Sequence, residues 1–377
     1  MGKALRNQYE PDVVSPPGET LAETIEALGM SQAQLAERIG RSKKMINEII
    51  KGKAPITARV SIELERVVGV PAGFWNNRER HYREFVARKE EKERLEDQVS
   101  WLKAVPFQPM AKLGWIESAK DKIERLKEVL KFFGIASPRQ WPMLKKAYLG
   151  NVAFRKSTAF ESDQGALIAW LRQGELEAKK IRCEPYDSRQ FRSALARIRQ
   201  LTAKPPEVFQ PELVRLCAAC GVAVVFVPEL PRTRVSGATR WLTPDKALIQ
   251  LSLRYKSNDH LWFSFFHEAG HILKHGKRDV FIEGKIPEKG DPKEDEANAF
   301  ASDILIPKKE LSRFLERQRL SKTAIRKFAS QLGIAPGIVV GRLQHDEALP
   351  QSHCNDLKRR FQWANQAQGE KLGSPVA

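Results

Sequence analysis

The stretch that decides the fold of the second half of this chain runs from Leu261 to Leu273 and reads Leu-Trp-Phe-Ser-Phe-Phe-His-Glu-Ala-Gly-His-Ile-Leu. It is mostly apolar and contains no proline, which predicts one buried helix of roughly four turns. Residues four apart lie on the same face of a helix, so His267 and His271 can reach one ion. Glu268 is rotated by about 100° from His267, which leaves its carboxylate free to act as a base. The H-E-x-x-H pattern therefore predicts a metal site.

A third ligand is expected from a second helix. Lys274 and Lys277 stand where one large class of zinc proteases has a glycine and a third histidine, so that class is excluded. The segment 294–307 has a narrow stripe of small and apolar residues, which would let this helix approach the first one closely. It begins with Glu294. Asn298 lies one turn further on the same face, where its amide can orient a ligand.

Two other residues compete with Glu294 as the third ligand. His275 follows His271 by four residues, but three ligands along one straight helix would curve out of reach of a single ion. Glu296 is rotated by about 200° from Glu294 and is expected to face solvent. We therefore predict His267, His271 and Glu294 as the ligands, with these two residues as the alternatives.

This ligand set favours zinc, one ion per chain. Two neutral imidazoles and one carboxylate leave a tetrahedral Zn²⁺ an open position for the reacting water. Glu268 is then the predicted catalytic base, which takes a proton from the water and passes it to the leaving amine. His345, oriented by Asp346, is a candidate for stabilising the oxyanion. The alternative for His345 is a surface histidine without a catalytic role.

The composition limits the class of protein. The chain has 377 residues, enough for two or three domains, and 64 Lys and Arg against 46 Asp and Glu give a net charge of +18. That excess favours an anionic partner, nucleic acid first. Four cysteines are too few for a disulfide framework, and there is neither a signal sequence nor an apolar run long enough to span a membrane. We expect a cytoplasmic protein with no membrane partner.

The pattern of residue types predicts a mostly helical α+β protein. We predict an N-terminal arm at 1–17, an all-α DNA-binding domain with a trailing helix at 18–98, a helical connector at 99–205, a zincin-like domain at 206–350 and a tail at 351–377. Within the fourth segment, β-branched runs bounded by turn residues predict three strands, at 221–228, 237–242 and 246–253. We expect these strands to form a small antiparallel sheet.

The N-terminal domain carries two short helices joined by a tight turn. Ser31 can cap the first helix, Gly40 permits the turn, and Ser42 can cap a second helix from Lys43 to Lys51. The apolar residues of the second helix face one way, while Lys43, Lys44 and Asn47 face the other. This is the helix-turn-helix arrangement, in which the second helix enters the major groove of DNA.

Charge supports this interpretation. Between residues 38 and 59 there are seven basic residues and one acidic residue, which favours phosphate contacts. Asn47 is suited to reading adenine, and Lys43 or Lys44 to reading guanine. Ser42 and Lys51 lie at the two ends of the same helix and complete the predicted contact set. The alternative is a plain helical bundle with a basic edge.

Residues 16–85 resemble the XRE or Cro/C1-type helix-turn-helix, especially the form found in HigA-like addiction-module antitoxins. The resemblance rests on Pro17-Gly18-Glu19-Thr20-Leu21, on Met30-Ser31-Gln32 and on Ser42-Lys43-Lys44 followed by 46–52. It implies binding to a double-stranded operator, commonly as a homodimer. It also implies that Gln32 touches a DNA phosphate.

Residues 210–345 resemble the ImmA/IrrE family of zinc metallo-endopeptidases. The resemblance is carried by Gly221-Val222-Ala223-Val224, Phe265-Phe266-His267-Glu268, Gly270-His271, Glu294, Ala297-Asn298 and Ile306-Pro307. It implies zinc on His267, His271 and Glu294, with Glu268 catalytic. Some members of that family cleave a repressor.

Three functions are compatible with these features. The first is a DNA-binding transcription regulator with a zinc endopeptidase that acts on itself or on a partner regulator. The second is an antitoxin and autorepressor that binds a toxin, its metal domain being a sensor or a structural module without proteolysis. The third is a peptidase that acts on another protein and binds DNA only for location.

Overall fold

A computed structural model describes residues 14–149, 161–277, 280–283, 291–317, 320–363 and 375–376. The chain divides into two compact units between Val99 and Ser100. None of the helices in these ranges is both long and apolar enough to span a bilayer.

The first unit is all helical. Its core is a single apolar cluster centred on Leu21, Leu35, Ile46, Leu64 and Trp75, which are fully buried. The helices that supply this core are α1 (Pro17–Ala27), α2 (Gln32–Arg38), α3 (Lys43–Ile50), α4 (Ala58–Val68) and α5 (Ala72–Glu96).

Local signals set the boundaries of α2 and α3. The Ser31 hydroxyl accepts a hydrogen bond from the backbone of Gln34, whose side chain bonds back to Ser31 in a capping box. Ser42 caps α3 in the same way, through the backbone of Met45. Gly40 has a φ of 69°, a left-handed conformation that glycine adopts without strain. The predicted helix-turn-helix is therefore present, with α3 ending at Ile50.

The second unit begins with a helical block. Trp101, Trp141 and Trp170 lie in it, and they contribute to a core that it shares with one face of the sheet. Its elements are a 3₁₀ helix at Val99–Ala104, α6 (Phe107–Lys112), α7 (Lys122–Phe133), a 3₁₀ helix at Pro138–Gln140, α8 (Trp141–Leu149), α9 (Glu161–Lys180), α10 (Ser188–Leu201) and α11 (Pro206–Ala218). The domain boundary that we predict at residue 205 lies inside this second unit.

The sheet has four strands in the order β1-β3-β2-β4. The three predicted strands are present as β1 (Val222–Phe226), β2 (Gly237–Thr243) and β3 (Lys246–Leu251), and a fourth, β4 (Phe281–Glu283), was not predicted. The fold class is confirmed, but the sheet is mixed and not antiparallel throughout. β2 and β3 form an antiparallel hairpin. β1 pairs parallel with β3, on the edge of β3 opposite β2, so the connection from β1 to β2 passes the position that β3 occupies.

The sheet lies between two helical layers. Successive residues of a strand face opposite sides, so Val222, Val224 and Phe226 pack in one core with α12 (Asn258–Lys274), while Ala223 and Val225 pack in the other with α9. The first core also includes residues of α10, α11, α13 (Pro292–Leu305), α14 (Lys308–Arg317), α15 (Lys322–Leu332) and α16 (Pro336–His345). A 3₁₀ helix at Asn355–Leu357 and two short paired strands, β5 (Gln362–Trp363) and β6 (Pro375–Val376), follow.

A charged cluster around Glu175 joins α8, α9 and β2. The Glu175 carboxylate accepts hydrogen bonds from Tyr148 and from Arg240 and pairs with Lys179 at 2.8 Å. Burial opposes its ionisation, but the hydrogen bonds from Lys179, Tyr148 and Arg240 outweigh burial and lower the pKa of Glu175 to about 2.

We expect Glu175→Gln to destabilise the protein by about 2 kcal/mol at pH 7, because the neutral amide leaves the surrounding cations unpaired. A carboxylate whose folded pKa lies below its ordinary value stabilises the fold above that ordinary value and loses this contribution as the pH falls towards the folded pKa. The difference from the wild type should therefore shrink between pH 4.5 and pH 2. Urea unfolding followed by tryptophan fluorescence at pH 7 and pH 3 measures this difference in the free energy of unfolding. Glu177→Gln on the same helix is the control; an undiminished difference at pH 3 would contradict the assignment.

Candidate functional site

The candidate metal centre lies between α12 and α13. His267 and His271 are one turn apart on α12, and their side chains are 3% and 0% exposed. α13 starts with Asp291 as its cap and Pro292 in its first turn, and this places Glu294 in the first turn of the helix, where a carboxylate is favoured.

Small residues allow the two helices to approach each other closely. Ala297 and Ala301 on α13 are fully buried. A Cβ atom added to Gly270 would lie 3.3 Å from the Cα of Ala297 and 3.1 Å from the ring of Phe300. A methyl group at position 270 would therefore require the Phe300 ring or the α13 backbone to shift by a few tenths of an ångström.

The three predicted ligands are brought together. The Nε2 atoms of His267 and His271 are 3.0 Å apart, and the Glu294 carboxylate oxygens lie 3.2 Å from the first and 3.5 Å from the second. A tetrahedral zinc with ligands at about 2.0–2.1 Å has donor-to-donor separations of about 3.4 Å. The three donors therefore fit one tetrahedral ion, and His267, His271 and Glu294 are the residues that would hold it.

The surroundings of the ligand atoms also set the protonation states of the two histidines. Burial opposes a proton on His267, but the Glu294 carboxylate and the other nearby acids outweigh it and raise the pKa of His267 to about 9. Burial and the charged His267 lower the pKa of His271 to about 2. His267 therefore carries a proton at neutral pH, and this proton must leave when a metal binds, so metal affinity should rise with pH.

The other side of each imidazole is also held. Nδ1 of His267 lies 3.0 Å from the amide oxygen of Asn298, the contact predicted for that residue. Nδ1 of His271 lies 2.9 Å from Nδ1 of His275, which therefore packs behind His271 and not beside the other donors. Glu296 lies 3.5 Å from His275. The two rival ligands thus form a pair of their own.

Glu268 is a buried carboxylate without a partner among the described residues. The residue is 0% exposed, and neither carboxylate oxygen accepts a hydrogen bond there. Burial raises the pKa of Glu268 to about 8. A Cβ atom on Gly237 of β2 would lie 2.8 Å from the Glu268 carboxylate, so a side chain at position 237 would force this carboxylate to move. An unpaired buried acid of this kind is typical of a catalytic site.

β4 adds two residues that the sequence analysis missed. The Phe281 ring stacks on the His271 ring with centroids 3.8 Å apart. Glu283 is two residues further on the same face, and burial raises the pKa of its carboxyl group. A three-residue strand carries no detectable periodicity, so no signal in the sequence pointed to either residue.

Other candidates lie apart from this cluster. His345 ends α16 with its side chain 81% exposed, and its ring contacts Asp346 at 3.2 Å. This environment is unlike the dry pocket that stabilises an oxyanion.

The predicted DNA-reading residues lie on or beside α3. Lys43, Lys44 and Lys51 are exposed, whereas Asn47 is half-buried. Ser42 is exposed too, but its hydroxyl is engaged as the cap of α3. Gln32 is the first residue of α2 and is half-buried.

The basic window contains fewer free charges than its composition suggests. Glu63 of α4 receives two hydrogen bonds from Arg41, at 2.7 and 2.9 Å, and a third from Arg59 at 3.2 Å. Both arginines are among the seven basic residues that were expected to favour phosphate contacts. Glu63 lies outside that window, 22 residues from Arg41, so the residues inside the window do not reveal the pairing.

Two family profiles match this chain. The helix-turn-helix profile HTH_3 matches residues 21–75, and the Peptidase_M78 profile, described as the IrrE N-terminal-like domain, matches residues 224–344. No match to a curated protein reaches significance.

Solved structures of antidote proteins align with part of the chain. One is described as an antidote protein of a plasmid maintenance system from Nostoc punctiforme, with 30% identity, 22% of this chain and 91% of that chain covered, and a TM-score of 0.22. Another is an addiction module antidote protein of the HigA family from Coxiella burnetii, with 30% identity, 22% and 94% coverage, and a TM-score of 0.21.

Proposed function

We propose that this chain, which belongs to the helix-turn-helix family over residues 21–75 and to the IrrE N-terminal-like peptidase family over residues 224–344, is a DNA-binding transcription regulator that carries a zinc-dependent endopeptidase. One observation carries the proposal: His267, His271 and Glu294 present their donors at tetrahedral separations beside an unpaired buried Glu268.

The chain's own residues account for the remaining chemistry. A bound zinc ion supplies the Lewis acid that polarises a peptide carbonyl. The Glu268 carboxylate accepts a proton from the attacking water and donates it to the departing amine, while Asn298 keeps the His267 ring in place. A raised pKa near neutrality suits this double role of Glu268. His345 as the oxyanion partner stays a prediction.

The substrate we propose is the chain itself or a partner regulator, because a DNA-reading domain and a peptidase on one chain bring the two activities to the same operator. Two recognition helices on a two-fold operator also favour a homodimer. Because a regulator must reach its operator, we also propose that the protein is cytoplasmic.

A second candidate is an antitoxin and autorepressor that binds a toxin, whose metal domain is a sensor or a structural module. The division of the chain favours it, because the helix-turn-helix unit is a compact unit with an apolar core of its own.

Metal analysis together with mass spectrometry of the intact chain tests the proposal. We expect one zinc per chain and cleavage products, from the chain or from an added unstructured protein, that disappear when a chelator is present. If the chain binds zinc but no cleavage products form under any condition, the antitoxin and autorepressor function remains as the candidate. Absence of zinc would remove the endopeptidase.

DNA binding by α3 gives a separate prediction. Lys43→Ala with Lys44→Ala should weaken binding to a duplex from upstream of the chain's own coding sequence about tenfold or more, and should make its salt dependence shallower by about 1 to 2 in the log–log slope. Fluorescence anisotropy at several salt concentrations measures both. Lys89→Ala with Lys92→Ala removes the same charge from exposed positions of α5 and serves as the control. Equal effects of the two pairs would remove α3 from the reading surface.

A further inference from the structure

The two histidines of the metal centre are supported from behind by different chemical groups. His267 is held by the Asn298 amide on α13, the helix that also supplies Glu294. His271 is held by His275, which belongs to its own helix. Neither the ligand set nor the catalytic base accounts for a third histidine in this place.

The end of α12 explains how His275 reaches that position. The helix stops at Lys274, and His275 is its C-cap with an extended backbone, φ −114° and ψ 166°. Its backbone N–H still donates to the carbonyl of His271 at 3.0 Å. This hydrogen bond keeps His275 one helical turn beyond His271, so the two rings lie on the same side of the helix, and the His275 side chain is only 5% exposed.

The direction of the hydrogen bond follows from the ligand geometry. Nε2 of His271 faces His267 and Glu294, so this atom must present its lone pair to an ion. The proton of the neutral ring then lies on Nδ1, which donates to Nδ1 of His275 at 2.9 Å. His275 must in turn carry its proton on Nε2, and that atom lies 3.5 Å from the Glu296 carboxylate.

We propose that His275 is a positioning residue that fixes the tautomer and ring orientation of His271 and thereby sets how tightly this site holds zinc. The inference rests on the metal centre of the proposed function but does not require proteolysis. Glu296 is 58% exposed and its contact is long, so its share of the effect is small.

Zinc affinity of the full-length protein is the decisive measurement, by competition with a chromogenic chelator. His275→Leu removes the acceptor, and we expect affinity to fall about 10- to 100-fold. His275→Asn places an amide oxygen near the position of Nδ1 and should restore affinity to within about threefold of the wild type. Glu296→Gln should cost at most about fivefold. His260→Leu removes an exposed histidine from the same helix and is the matched control.

Visible absorption of the cobalt-substituted protein tests whether His275 is itself a ligand. We expect the same four-coordinate spectrum from the wild type, His275→Asn and His275→Leu. The proposal is overturned if His275→Leu binds zinc within twofold of the wild type, if His275→Asn is as weak as His275→Leu, or if the cobalt spectrum changes coordination number. A wild type that binds no zinc would defeat the metal centre as a whole, whereas zinc binding without cleavage would leave the role of His275 standing.

Discussion

Replacement of Glu268 by glutamine should slow peptide cleavage by about 10²- to 10⁴-fold while zinc stays bound. The amide cannot accept the proton of the attacking water, yet it has nearly the same volume and Glu268 is not among the three clustered donors. Since the carboxylate is buried without a partner, the neutral amide should not lower the unfolding temperature of the metal-free protein.

The measurement is the rate at which cleavage products accumulate from wild type and Glu268→Gln, each with its zinc content determined in the same preparation. His345→Ala is a useful comparison, because it separates the predicted oxyanion role from the base. Unchanged processing in Glu268→Gln would show that the base has been misassigned. A variant that has also lost its zinc would decide nothing about the base, and Glu268→Asp would then replace it.

Removal of the Glu294 carboxylate should have the largest effect on metal binding. Glu294→Ala leaves two imidazoles only, and we expect zinc affinity to fall more than about 100-fold, beyond the loss caused by a residue that merely supports a ligand. Cleavage should disappear together with the metal. Competition with a chelator at several pH values from 6 to 8 measures the zinc affinity. In the wild type we expect the zinc affinity to rise with pH, because His267 loses its proton.

Asp295→Ala is the matched control, since it removes an exposed carboxylate from the next position of the same helix turn. It should bind zinc as the wild type does. Equal losses in the two variants would point to α13 as a whole and not to a ligand. Zinc retained at full affinity in Glu294→Ala would reopen the third-ligand assignment.

The first unit was predictable because its signals are local. Ser31 and Ser42 cap their helices from within the same turn, and Gly40 makes its bend alone. Side-chain pairing over longer distances was not predictable: Arg41 meets Glu63, 22 residues further along the chain, only in the folded structure. The contact of Glu63 with Arg59 is an i, i+4 pair within α4.

The metal centre shows the same division. The spacing of His267 and His271 along a helix requires them to share a face, whatever the rest of the fold does. Helix curvature favoured Glu294 over His275 as the third ligand. The i, i+4 spacing places His275 beside His271, but the ring atoms that face each other are set by side-chain packing, which no local pattern specifies.

The sequence by itself determined the elements whose causes lie within a few residues: the caps and turn of the DNA-reading helices, the two histidines on one helix face, and the strands of the hairpin. Tertiary structure alone decided the parallel pairing of β1, the short strand β4 with Phe281 over His271, and the space that Gly237 leaves for Glu268. Helix periodicity and capping act over one or two turns of chain, whereas strand order and side-chain packing join residues tens of positions apart, and no local pattern specifies those contacts.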